Sequence, residues 1–221
     1  MSDIIIAIDG PAGSGKTTTA RLAATELNYL YIDTGAMYRA VTLAWLRSGE
    51  EMTARNLYRI MESNPVTLRQ SDEGQKTLLN GEDVSDEIRS PEVNRYVSPI
   101  SAMEVVRDKM VRQQQEIGKD GGVVLDGRDI GTVVFPKAEL KIFLLASIDT
   151  RAKRRMKEQQ QKGIGQSFEE TREQILKRDD FDSSRDISPL KKADDAVEID
   201  TSELTIEEQV QKVLELARER M

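Results

Sequence analysis

Apolar, β-branched Ile4 to Ile8 runs without interruption into GPAGSGKT, from Gly10 to Thr17, and Lys16 opens a helix-compatible stretch that ends near Leu27. A strand that is apolar at every position is buried on both faces of a parallel sheet, because a strand with one wet face alternates. The sequence therefore predicts strand, glycine-rich loop and helix, the setting that the pattern Gly-x4-Gly-Lys-Thr requires. Glycines at 10, 13 and 15 permit close backbone approach. The segment Gly10, Pro11, Ala12, Gly13, Ser14, Gly15, Lys16, Thr17 and Thr18 can then wrap a polyphosphate at a helix N-terminus. Lys16 brings a cation toward the β- and γ-phosphates, and the Thr17 hydroxyl can hold a magnesium ion.

The remaining strand candidates, Tyr29 to Ile32, Val123 to Leu125, Leu140 to Leu145 and Ala196 to Ile199, alternate with helical stretches. Alternation of this kind argues for a parallel sheet covered by helices, with ligand groups at the carboxyl ends of the strands. Its loops after Ile8, Ile32 and Leu125 would converge there. Between Pro65 and Ser90 the pattern changes. Val66 to Leu68 and Thr77 to Leu79 are strand-like, and Asn80-Gly81 is a hairpin turn before Asp83-Val84, so a small antiparallel insert is expected. Thr205 with Glu208 signals the start of a closing helix whose Ile206, Val210, Val213, Leu214 and Ala217 share one face. Gln159 to Gln161 followed by Lys162 to Gly165 reads as a helix running into a flexible loop.

At 221 residues the chain is expected to form one domain, at about 100 to 200 residues per domain. It has no cysteine and no histidine. Disulfides, thiol nucleophiles, zinc sites built on Cys or His, serine–histidine triads and imidazole acid–base chemistry are excluded with them. Any catalysis must use carboxylates, cations, hydroxyls and backbone. The net charge of −7 argues against general affinity for nucleic acid polymers or anionic membranes, so an anionic ligand must be met locally. No apolar run approaches the ~20 residues that span a bilayer, and a cytoplasmic protein is expected. Positive charge is concentrated between Thr150 and Lys192, with 12 basic and 8 acidic residues against 20 and 31 elsewhere.

Three further motifs fall at expected strand ends or on this basic segment. DTGAMYR, from Asp33 to Arg39, sets Thr34, Tyr38 and Arg39 at a strand end and the first turns of a helix, where they could receive a second phosphate. DGRDIGTVVFP, from Asp126 to Pro136, follows a buried strand; Asp126 is placed to hold magnesium-bound water, with Arg128 and Asp129 at the sheet's carboxyl edge. In RDDFDSSR, Arg178, Asp182 and Arg185 share a helix face behind a capping pair at Ser167 and Glu170. Arg151, Arg154 and Arg155 share another. Ordinary intrahelical ion pairs would account for some of these arginines, but they outnumber their acids, and the planar fork of arginine suits a bridge between phosphates. The guanine-recognition motif Asn-Lys-x-Asp and the switch motif Asp-x-x-Gly of GTPases are both missing from the sequence.

Taken together, GPAGSGKTT, DTGAMYR, GEDVSDEIR, DGRDIGTVVFP and RDDFDSSR make the sequence resemble the bacterial cytidylate kinases, a nucleoside monophosphate kinase family. The resemblance covers nearly the whole chain. It implies a three-layer α/β/α P-loop kinase with a central parallel sheet, a small antiparallel insert and a helical lid. Core would fall at 1–64, 102–149 and 193–221, a monophosphate-binding insert at 65–101 and the lid at 150–192. It also implies transfer of the ATP γ-phosphate to CMP or dCMP with Mg2+, by a monomer whose partners are those nucleotides. Carried over by residue, Ser98, Arg107 and Asp129 would contact cytosine, and Thr34, Tyr38, Arg39 and Arg128 would surround the monophosphate. Arg178, Asp182 and Arg185 would approach sugar and phosphate. Thr17 and Asp126 would serve the metal, and Lys16, Arg128, Arg154 and Arg185 would be the catalytic cations.

The chemistry of the base supports the cytosine assignment independently, because a carboxylate accepts from cytosine's exocyclic amine but would face a carbonyl oxygen in uracil. A phosphate monoester's second pKa is about 6, so the acceptor is already a nucleophilic dianion at neutral pH and no general base is required. Two rivals stay open on the residues alone. One is a kinase for another small acceptor, such as a different monophosphate or shikimate; the other is a protein that binds ATP for regulation without transferring phosphate.

Overall fold

The computed structural model describes residues 3–71, 74–161, 163 and 165–221. Lys162 and Ile164, in the loop expected after Gln161, lie outside the described residues. In chain order the elements are β1 (Ile5–Asp9), α1 (Lys16–Leu27), β2 (Leu30–Asp33), α2 (Thr34–Ser48), α3 (Ala54–Ser63), β3 (Val66–Ser71), β4 (Gly74–Leu79) and β5 (Glu82–Asp83). They continue with α4 (Pro91–Ala102), α5 (Glu104–Gly118), β6 (Val123–Gly127), β7 (Leu140–Leu145), α6 (Ile148–Gln161), α7 (Phe168–Ser184), β8 (Val197–Asp200) and α8 (Ile206–Arg218). The chain divides into two compact units, Met1–Tyr31 with Asp120–Met221, and Ile32–Lys119.

The first unit is built on a sheet of order β2-β6-β1-β7-β8, with β1 parallel to both β6 and β7 and β7 parallel to β8. β1 lies in the middle, and Ile6, Ala7 and Ile8 are all fully buried, which is why the strand carries no polar residue before its end. One face packs Ile4, Ile6, Ile8, Leu140, Ile142 and Leu144 against Ala20, Ala23 and Ala24 of α1 and Val213, Leu214 and Ala217 of α8. The alanines let α1 lie close to the sheet. α8 starts at the expected capping box, in which Thr205 and Glu208 each bond the other's backbone N–H. α7 starts in the same way at Ser167 and Glu170.

The second unit holds helices α2 to α5 and the antiparallel sheet β3-β4-β5. Asn80 and Gly81 both have positive φ, 50° and 83°, as a two-residue type I′ hairpin turn requires. Trp45 meets Tyr96 edge-on, with ring centres 5.1 Å apart, and ties α2 to α4.

The central parallel sheet, its flanking helices and the small antiparallel sheet are those the sequence predicts, with one consistent displacement. β1, β2 and β8 run one residue further than expected, ending on Asp9, Asp33 and Asp200, and β6 runs through Asp126. The backbone of each still lies in the strand, while the polar side chain caps or binds at the sheet's edge. Leu214→Ala, which empties part of the α1–α8 core far from any charged motif, is expected to cost about 2–5 kcal/mol. Urea unfolding checks this as a lowered midpoint at unchanged slope.

Candidate active site

α1 begins at Lys16 with Gly15 as its N-cap, and no side chain caps it. The N–H groups of its first turn are left for another acceptor. The loop before it is held from outside. A Cβ on Gly10, whose φ is +149°, would lie 2.1 Å from the Leu144 carbonyl of β7, and one on Gly15 would lie 2.8 Å from Gln209 Oε1 of α8. The Thr201 hydroxyl, just past β8, bonds both the Ser14 carbonyl at 2.9 Å and the Leu145 carbonyl at 2.8 Å. Gln209 in turn accepts from Thr19 Oγ1 at 2.9 Å.

Lys16 Nζ is buried and donates to the Pro11 carbonyl at 2.8 Å. Burial, then the neighbouring Arg128 guanidinium, push its ammonium down to about 7, with Asp126 pulling the other way. Thr17 Oγ1 donates to Asp126 Oδ2 at 2.9 Å, and Tyr31 Oη donates to Asp126 Oδ1 at 2.7 Å. The expected hydroxyl and carboxylate are thus in contact, and the phenol steadies the carboxylate from its other side.

The segment after β6 makes a five-residue π-helical turn, Ile130–Val134, with Asp129 at its head. Asp9, the last residue of β1, accepts from the Ile130 N–H and the Gly131 N–H, both at 2.8 Å. Burial pushes the Asp9 carboxyl up to about 7, against the lowering effect of those two bonds. Arg128 Nε donates to Asp182 Oδ2 at 2.9 Å, Arg178 Nε stands 3.8 Å from the same oxygen, and Arg185 Nη2 is 3.9 Å from Asp129 Oδ1. Burial alone would raise the Asp182 carboxyl, but Arg128 and Arg178 outweigh it and hold it low. Burial and the like charge of Arg128 push Arg178 down to about 10, and its buried Nε makes no hydrogen bond among the described residues. Three guanidinium groups and Lys16 therefore crowd the strand tips beside Asp182, Asp129 and Asp126.

The arginines of α6 divide. Arg151 donates to the carbonyls of Ala146 at 3.0 Å and Ala12 at 3.2 Å and pairs with Asp179 of α7. Arg154 donates to the Thr201 carbonyl at 2.6 Å, to its hydroxyl at 3.0 Å and to the Ser14 carbonyl at 3.4 Å. Arg155 bonds Glu158 on its own helix instead.

The second unit gathers its own set. Asp33 caps α2, accepting from the Ala36 N–H at 2.9 Å, and also takes Arg89 at 3.2 Å. Thr34 follows, buried. Arg107, buried on α5, has its guanidinium carbon 5.4 Å from the centre of the Tyr38 ring and donates to the Ser101 carbonyl at 3.3 Å. The Ser98 carbonyl accepts from Ser101 Oγ at 2.9 Å, so Ser98, Arg107 and Tyr38 belong to one cluster. Arg39 points elsewhere on the same helix, donating to the Ile88 carbonyl at 3.1 Å.

Sequence reasoning passed over Asp9, Tyr31, Asp179, Thr201 and Gln209, each of which holds a motif residue or its backbone. An acid closing an otherwise apolar strand, as Asp9 does, was a readable signal; the others lie far along the chain from what they hold.

Comparison with known proteins agrees with this geometry. The family model described as cytidylate kinase matches residues 6–219. The cytidylate kinase of Bacillus pumilus strain SAFR-032 is 52% identical over 213 residues, covering 96% of this chain and 95% of that protein. That of Bacillus cereus strain B4264 is 50% identical over 214 residues, with the same coverage of each. A solved structure of shikimate kinase from Acinetobacter baumannii, in complex with shikimate, shares the fold at a TM-score of 0.50 and 17% identity, over 98% of this chain and 93% of that one. The phosphate loop that α1 leaves uncapped, the arginine-rich strand tips and a match along almost the whole length lead to one conclusion: the chain belongs to the cytidylate kinase family.

Proposed function

We propose that this member of the family, which transfers the γ-phosphate of ATP to CMP or dCMP, divides that work between a donor site on the phosphate loop and an acceptor site served by Arg128, Asp129 and α7. The loop from Gly10 to Thr18 binds the ATP polyphosphate through backbone N–H groups and the N-terminus of α1. Thr17 and Asp126 offer hard oxygen donors of the kind that suits magnesium, which takes one or two carboxylates and fills its shell with water and phosphate oxygens. Bound there, the ion would neutralise charge on the β- and γ-phosphates. Lys16 exchanges its bond to the Pro11 carbonyl for phosphate oxygens.

The observation that carries this reading is the crowding of cations beside the loop. Arg128, Arg178 and Arg185 meet Asp182 and Asp129, and Arg178 Nε has no acceptor among the described residues. An acceptor phosphate would bring negative charge to these cations and is a dianion above about pH 6, so in-line attack needs no general base. Asp129 accepts from the cytosine amine. Thr34, Tyr38 and Arg39 are read as phosphate-binding residues, and Ser98 and Arg107 as base-binding residues. Residues 65–101 act as the monophosphate-binding insert and 150–192 as the lid, in which Arg154 joins Lys16, Arg128 and Arg185 as a catalytic cation. These roles are filled from one chain, and we read the protein as a cytoplasmic monomer.

A panel of acceptors with ATP tests the substrate class: CMP and dCMP should yield diphosphate far faster than UMP, AMP or shikimate, and preference for any of the last three would overturn it. Lys16→Ala should lower turnover by about 100- to 1,000-fold, the scale of removing one donor to developing charge, with an unchanged circular dichroism spectrum. The depressed Lys16 ammonium gives a proton balance with a definite sign. Below about pH 7 Lys16 is charged before ligand arrives; above it the free protein holds Lys16 neutral, and polyphosphate favours the charged form. ATP binding at pH 8 should therefore take up close to one proton, and at pH 6 much less. Calorimetry in buffers of different ionisation heat reads this directly, and Lys16→Met should abolish the uptake. Asp129→Ala should weaken CMP far more than ATP and narrow the preference over UMP by about tenfold or more, since a site built to bond a polar group rejects the analogue that lacks the match.

A further inference from the structure

An aspartate at the head of a helical turn ordinarily folds its carboxylate back onto the turn's second or third N–H group. Asp129 stands at that position, with φ −147° and ψ 24°, yet its side chain does not cap the turn. The capping is done from another element. Asp9, on the central strand, accepts from the Ile130 N–H through Oδ1 and from the Gly131 N–H through Oδ2, each at 2.8 Å. Both oxygens are used, and the side chain is buried. Gly131 lies beside the clamp: a Cβ there would stand at ordinary contact distance, 3.4 Å, from Asp9 Oδ2 and closer, 3.1 Å, to the Lys141 side chain.

We propose that Asp9 is a positioning residue for base discrimination: by capping the Ile130–Val134 turn from β1, it keeps the Asp129 carboxylate from turning back onto that backbone and leaves it directed at the cytosine amine. The proposal rests on the reading of Asp129 as the group that meets the base. Asp9 is also the residue immediately before Gly10, so one strand end carries the donor loop in its backbone and the acceptor's base reader through its side chain. If Asp9 loses one oxygen, an N–H at the head of the turn is left without its acceptor, and Asp129 is the carboxylate already at the capping position. Its return to that role would remove it from the base.

The test compares kcat and KM for CMP, UMP and ATP in Asp9→Asn, Asp129→Ala and the double variant. The asparagine keeps one acceptor but turns an NH2 group toward an N–H. The ratio of kcat/KM for CMP over UMP should fall about tenfold in Asp9→Asn, through a raised KM for CMP, with KM for ATP within about twofold. In the Asp129→Ala background the Asp9 substitution should change that ratio no further, because the two act through one group. A merely structural role would lower the melting temperature and the active fraction and leave the ratio alone. A collapsed ratio in Asp129→Ala beside an unchanged one in Asp9→Asn overturns the proposal and leaves the base reading standing; an unchanged ratio in both overturns the base reading as well. Should Asp9→Asn not fold, Asp9→Glu shifts the same clamp by one methylene without removing its charge. It should narrow the ratio in the same direction, and an unaltered ratio there would falsify the inference.

Discussion

A buried lysine next to three arginines is an unfavourable arrangement that the rest of this structure is built to hold. Left to itself, like charge at the strand tips would spread the loops apart and draw in water. The protein resists this by anchoring the phosphate loop from behind, in places that do not touch the cations. Thr201 ties the Ser14 carbonyl to the end of β7, Gln209 of α8 closes against Gly15, and Arg151 bonds the Ala12 carbonyl while pairing with Asp179. The loop's carbonyls are engaged on their outer side. The N–H groups at the start of α1 are what remains for a ligand. Preorganisation of this kind is what makes a dipole at a developing charge effective, since nothing has to reorient when the reaction occurs.

The arginines do not share one role. Those of α6 mostly bond backbone carbonyls, which fixes the loop and its neighbour after β8. Those of Arg128 and α7 instead meet carboxylates. Asp182 illustrates the balance: it is buried where a carboxylate would otherwise hold its proton, and Arg128 and Arg178 keep it ionised. One buried acid thus aligns two cations without neutralising both. Breaking such a pair would cost more than the pair contributes, because the survivor stays buried alone.

Much of this was legible in the sequence, and the pattern of what was not has a physical cause. β1, α1 and the hairpin at Asn80-Gly81 announce themselves locally, through an apolar run, a glycine pattern and a turn whose two residues tolerate positive φ. The motif residues Lys16, Thr17, Asp126, Arg128 and Asp182 do meet in one unit, because parallel strands deliver their following loops to one edge. Helical projection placed Arg155 beside Arg151 and Arg154, but on a helix of this charge density Glu158, three residues on, supplies a partner that no spacing argument ranks below a distant one. Thr201 and Gln209 were invisible for a different reason. Each acts on the loop from across the sequence, and a threonine after a strand or a glutamine in a helix carries no local mark of its partner.

The strand-ending aspartates show how far residue type falls short of role. Asp33 caps the helix that follows it, and Asp200 accepts from the backbone and hydroxyl of Ser202 to shape the turn before α8. Asp126 is held between a threonine and a tyrosine with its oxygens toward the loop, and Asp9 braces a turn in another segment altogether. All four stand where a parallel strand leaves the sheet, so the fold supplies the same position four times. What separates them is the register of the neighbouring strand. β1 is central, and Asp9 pairs with Gly127 across β6, which brings the turn after β6 within reach of its carboxylate. At the edges of the sheet, Asp33 of β2 caps its own helix and also takes Arg89, and Asp200 of β8 shapes the turn that follows it. The central strand therefore does two things at once in this fold: it leads into the glycine-rich loop through its backbone, and its terminal side chain braces the segment after β6 next to it.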